Sequence, residues 1–185
     1  DLGYIGFRYD MVKGFNASHV GDYNTATGIQ YSVGEYWDGV GNIKNWINNT
    51  GKKSGAFDFP FHYNMTNAIK YNDWRKLNEA SLMSDASFRR YAITFVENHD
   101  IQVREDNSNE GSKDPIPTTY IPAANAFLIA MPGTPCIFQP HWKAYEHELK
   151  SMIEARKLAG ITNTSSYRNY ASNTQYFANA VNGTN

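Results

Sequence analysis

The chain has 185 residues, 41% of them hydrophobic and 15% aromatic, enough to bury one sizeable core. Its formal net charge of −1 and scattered lysines and arginines, with KK at 52–53 and RR at 89–90 the longest basic runs, leave no footprint for nucleic acid or an anionic membrane. No apolar stretch approaches the roughly 18 residues of a membrane span, and Cys136, being alone, excludes an internal disulfide. The sequence opens without a signal-peptide pattern and on Asp1 instead of Met, so an N-terminal piece that was removed or never recorded is expected.

YIGFRYD predicts a buried strand, and NASHVGDYNTATG a short helix with a cap residue before it and Gly28 closing it. QYSVGEYW reads as a second strand. In NIKNWINNTG, Ile43, Trp46 and Ile47 share a helical face that Gly51 ends. GAFDFPF is expected to be a third strand, leading into an amphipathic segment through Met65, Ile69 and Leu77. RRYAITFVEN is the strongest strand pattern, and the long polar loop after it suggests function or disorder. YIPAANAFLIAM reads as a buried helix with Pro122 in its first turn. PGTPCIF is a fifth strand, and Tyr145, Leu149, Met152 and Ile153 mark a helix ending near Gly160. The tail from 161 to 185 is β-prone and breaks the alternation.

Strand–helix alternation with buried strands predicts a parallel sheet, either doubly wound or a barrel. In both, functional residues gather at the C-terminal ends of the strands. Three of the runs finish on a carboxylate: Asp10, Glu35 and, after FVENH, Asp100. On one rim they would repel one another, which favours a chemical task over chance, although any single strand-end charge is ordinary. Two carboxylates flanking a bond describe glycoside hydrolysis. A carboxylate cluster with His62 and His99 could instead hold a divalent metal. Only His99 sits at a strand end, and no HxH pattern occurs.

GFRYDMVKG, VGEYWDG and FVENHD, in that order, resemble three signatures of the α-amylase family, glycoside hydrolase family thirteen. FDFPFHY and GTPCIF resemble that family's sixth and eighth barrel strands, so the resemblance runs from about residue 3 to about residue 160. It implies an α/β fold: the C-terminal part, about strands 4 to 8, of a TIM-type (β/α)8 barrel over residues 1–160, then the start of a β-rich C-terminal domain over 161–185. A whole barrel takes about 250 residues, so the first three strands would lie outside this chain.

The resemblance also implies roles. Asp10 matches the nucleophile, Glu35 the general acid/base, and Asp100 the third carboxylate, which binds sugar hydroxyls. Arg8 shares a strand face with Asp10 and would keep it ionised. His99 matches a sugar-bonding residue and Lys13 one on the leaving-group side; Trp37 and Trp142 could stack on glucose rings. Gly14 stands where the family lends a backbone carbonyl to a structural calcium ion, whose other ligands would come from absent segments. The implied activity is retaining hydrolysis of α-1,4-glucans, with an α-glucan as partner. A transglycosylase, an α-glucosidase, a non-catalytic glucan-binding relative or an inactive fragment are the alternatives. Substrates of that size and the sequons at Asn16, Asn48, Asn64, Asn163 and Asn182 lead to an expectation of secretion.

Overall fold

The computed structural model of the protein describes residues 3–102 and 115–185. The long polar loop after the fourth strand falls largely on 103–114, outside the described residues.

Five strands, β1 (Gly6–Tyr9), β2 (Tyr31–Gly34), β3 (Gly55–Phe57), β4 (Ala92–Phe95) and β5 (Thr134–Cys136), form one sheet in the order β1-β2-β3-β4-β5. Every pairing is parallel. A doubly wound sheet needs a point where the strand order reverses, and these five strands have none. With crossovers of one hand, that order puts the connecting helices on one face and leaves the other face to line an interior. Of the two architectures left open by periodicity, the strand order favours the singly wound one.

The helices follow the sequence signals closely. Asn16 caps α1 (Ala17–Thr27) by accepting from the Ser18 N–H, and Gly28 ends it at φ 66. Helix α2 (Val40–Asn49) buries Ile43, Trp46 and Ile47. The indole of Trp46 lies so close to β2 that a Cβ on Gly34 would stand 2.2 Å from its ring, so the helix can seat only on a glycine. Helix α4 (Ile121–Ala130) carries Pro122 in its first turn, where the missing N–H costs nothing. A short helix α5 (Gln139–Ala144) follows β5, and α6 (Glu146–Leu158) buries Leu149. Strands β6 (Tyr167–Ser172) and β7 (Phe177–Val181) pair antiparallel as a separate two-stranded sheet. Tyr167 and Val181 pack against the main core, and the Arg89 guanidinium donates to the Ser165 carbonyl at 2.9 Å.

The third strand is shorter than its sequence predicts. It stops at Phe57, and FPF begins helix α3 (Phe59–Tyr71). The aromatic run looks like a strand, but Asp58 turns it into a helix start. Its carboxylate, fully buried, accepts from the N–H groups of Phe61, Leu82 and Met83 at 3.2, 3.2 and 2.8 Å. The chain leaves α3 at Asn72, in the left-handed region, so Leu77 sits in a separate 3-10 turn, Trp74–Asn78.

Burial pushes the Asp58 carboxyl up to about 6 from its ordinary 3.8, while its three N–H donors pull the other way. A carboxyl with a raised folded-state pKa stabilises the fold when protonated. That contribution is complete below about 4 and is lost as pH rises to about 6. Replacing Asp58 by Asn should therefore flatten this part of the stability–pH curve, as urea unfolding at pH 4 and 6.5 would report. Asp58→Ala leaves buried N–H groups unpaired and should cost about 2–4 kcal/mol.

Candidate active site at the strand ends

Residues Tyr9 and Gly34 are register partners, so the next residues, Asp10 and Glu35, stand side by side at the C-terminal ends of β1 and β2. Backbone bonds continue the ladder one step further, from the Glu35 N–H to the Tyr9 carbonyl at 2.9 Å and from the Val12 N–H to the Glu35 carbonyl at 3.3 Å. Between them Met11 takes a left-handed conformation, φ 44, which is costly for a side chain that is not glycine. That turn aims the Met11 N–H at Glu35 Oε2, 3.1 Å away.

Arg8 lies two residues before Asp10 on the same strand face, and its guanidinium reaches both acids. Nη1 bonds Asp10 Oδ1, and Nη2 stands 3.2 Å from Glu35 Oε1. The two carboxyl groups differ sharply in setting. The Asp10 side chain is 66% exposed and that of Glu35 only 8%. The hydrogen bond and charge of Arg8 hold the Asp10 carboxyl below the usual carboxylate range, so it stays ionised.

Glu35 and Asp100 line one open cleft of 460 Å³ together with Met11, Lys13, Gly14 and Trp37. Trp37 is fixed from behind: its ring stacks on Phe59 at 4.7 Å, and its indole N–H donates to the Tyr63 hydroxyl at 2.8 Å. Lys13 is also held, by Asp38 at 2.8 Å and the Trp37 carbonyl at 3.0 Å. Its hydrogen bond lowers the Asp38 carboxyl to about 2. Asp100 follows β4 through a turn in which Asn98 Oδ1 accepts from the N–H groups of Asp100 and Ile101, each at 3.0 Å. His99 Nε2 stands 3.3 Å from Asp100 Oδ2 and lines a neighbouring cavity of 190 Å³ with Arg8 and Glu35.

His62 lies away from this rim. It is buried, stacked on Phe95, with Nδ1 2.5 Å from the Val96 carbonyl oxygen. Trp142 is on α5 with the Lys150 ammonium over its ring, outside the cleft lining. Among the described residues no group of three or more His, Cys, Asp or Glu side chains could hold a metal ion. Gly14, whose carbonyl the resemblance offers to a calcium ion, therefore has no such group beside it among the described residues.

No family model matches the chain. It is 27% identical over 188 residues to "Probable alpha-amylase 2" of Arabidopsis thaliana, covering 90% of this chain and 44% of that protein. It is 30% identical over 178 residues to an "Alpha-amylase" of Bacillus licheniformis, covering 85% of this chain and 33% of that one. The crystal structure of an Anoxybacillus α-amylase superposes with a TM-score of 0.71 at 16% identity, covering 96% of this chain and 45% of the other. The chain is α-amylase-like. It spans less than half the length of the relatives it matches.

Within the α-amylase-like chain, two strand-end carboxylates escape sequence reasoning. Asp58 follows β3 and Glu97 follows β4, both as apolar-run acids like Asp10 and Glu35, and both buried. Glu97 sits inside the FVENHD motif, so the signal was present, but nothing in the pattern separates a structural acid from a reactive one. Asp38 and Tyr63, which hold Lys13 and Trp37, lie inside the VGEYWDG and FDFPFHY motifs, but nothing in those motifs marks them as bracing residues. If Arg8 is what keeps Asp10 ionised, Arg8→Met should move the Asp10 titration midpoint upward, and carbon-detected NMR of the carboxyl group would measure the shift.

Proposed function

We propose that the chain carries the catalytic carboxylates of a retaining hydrolase of α-1,4-glucans, within strands four to eight of a (β/α)8 barrel. The observation that carries this reading is the Arg8 bridge. One guanidinium contacting both Asp10 and Glu35 keeps the two carboxyl groups close. A retaining mechanism wants about 5–5.5 Å between them, whereas an inverting one needs room for a water, about 6.5–9.5 Å.

Asp10 is the exposed, ionised partner and attacks the anomeric carbon. Glu35, walled in by the cleft, gives its proton to the glycosidic oxygen, and the aglycone leaves. Water, deprotonated by Glu35, then releases the sugar from Asp10, restoring both groups. Asp100 faces the cleft with Glu35 and takes sugar hydroxyls, while His99 contributes a hydrogen bond from beside it. Trp37, braced by Phe59 and Tyr63, offers a rigid face for a glucose ring, and Lys13 lies along the same wall. Residues 1–160 then belong to the catalytic barrel and 161–185 begin a β-rich domain. A polymeric α-glucan as substrate fits secretion. The calcium ion that the resemblance implies would need ligands beyond the described residues.

The test uses the complete polypeptide that contains this segment. Asp10→Asn should reduce starch hydrolysis by more than about a hundredfold while starch binding persists; residual activity above that level sinks the assignment. Glu35→Gln should lower the rate on starch about 10²–10⁴-fold. It should spare the first step on an aryl glycoside whose leaving group needs no proton. Equal losses on both substrates would point to another acid.

A further inference from the structure

Glu97 has no part in the reaction proposed above, yet it is 6% exposed and fully engaged. Its Oε1 accepts from the Ile116 N–H at 2.7 Å and its Oε2 lies 2.9 Å from His141 Nε2. His141, itself buried on α5, places Nδ1 3.2 Å from Asn125 Nδ2 on α4, and that amide nitrogen also donates to the Ile121 carbonyl at 2.9 Å. With Asn125 donating to Nδ1, the ring proton sits on Nε2 and is donated to Glu97. Among the described residues, Asn125 Oδ1 is left buried without a partner. Turning the amide over would set its oxygen against the Ile121 carbonyl, so the backbone of α4 dictates its orientation.

A buried carboxylate held by one histidine and one N–H is an expensive way to fill space. Its location suggests what it secures. Glu97 immediately precedes the Asn98-capped turn that bears His99 and Asp100, and it lines the 190 Å³ cavity with Arg8, Glu35 and His99. The turn is rigid within itself, because Asn98 takes the N–H groups of Asp100 and Ile101. Strand pairing ends at Phe95, so past that point a different contact has to place the turn over the cleft. We propose that Glu97, anchored through His141 to Asn125, is the positioning element that sets the His99–Asp100 turn against Glu35. This inference rests on the reading that Asp100 acts on the substrate.

The experiment compares Glu97→Gln, His141→Leu, His141→Gln, the double variant Glu97→Gln/His141→Leu and Asp100→Asn in the complete polypeptide, assayed on soluble starch below each variant's unfolding temperature. Glu97→Gln should lower kcat about 10–100-fold, the scale of an ångström-sized misplacement, with KM within about threefold of wild type. His141→Leu should match it. His141→Gln, which keeps a donor toward Glu97, should restore most of the rate, and the double variant should be no slower than Glu97→Gln alone. A folded Glu97→Gln variant with wild-type kcat, a loss confined to KM, or losses that multiply in the double variant would overturn the proposal while leaving Asp100 in place. Should Glu97→Gln fail to fold, the contrast between His141→Leu and His141→Gln decides: equal rates overturn it. A fully active Asp100→Asn variant would instead remove the reading beneath it.

Discussion

The contact on which the rim depends is that between Arg8 and the acids of two neighbouring strands. The Arg8 guanidinium spans the two carboxyl groups, offering one nitrogen to each. The contact is available only because β1 and β2 run parallel in a register that pairs Tyr9 with Gly34. A shift of one residue would turn Arg8 and Asp10 to the opposite face. Trp46 of α2 seats on Gly34, the residue immediately before Glu35, so packing of the helix and placement of that carboxylate meet at one glycine.

Four acids stand at or just past strand ends, and their surroundings divide them. Asp58 is sunk among backbone N–H groups and joins the start of α3 to the segment around Met83. Glu97 is sunk against His141. Asp10 remains exposed, its carboxyl held below the usual range by Arg8, and Glu35 opens on one side to a cleft while Oε1 and Oε2 meet Arg8 and the Met11 N–H. Identical residue types, delivered by the same strand–turn geometry, meet different surroundings according to what else packs beside them. Asp58 and Glu97 are buried against fixed donors, whereas Asp10 and Glu35 share one cation at the rim.

Several residues that line the cleft are held from outside it: Trp37 by Phe59 and Tyr63, Lys13 by Asp38, and the Asp100 backbone by Asn98. Sites held in this way lose little entropy on binding, which is the advantage of building them on strand ends rather than on long loops.

Much of this organisation could be read from the order of residues. Strand–helix alternation, the caps at Asn16 and Gly28, the buried stripe of α2 and the two acids one step past β1 and β2 all follow from local preferences that need no distant partner. Elsewhere the aromatic, β-prone appearance of a run outweighs its cap signal. DFPF has strand-like residues but starts a helix, because Asp58 caps it by accepting from the Phe61 N–H and Pro60 sits in its first turn. Glu97 looks like its neighbours in the motif, and only its partner His141 on α5 distinguishes it. The sequence by itself determined which carboxylates arrive at one rim, since strand direction and side-chain alternation are properties of the chain. Tertiary structure alone decided which of them are buried and bonded and which stay open to a substrate, since burial is set by what the rest of the chain packs around each one.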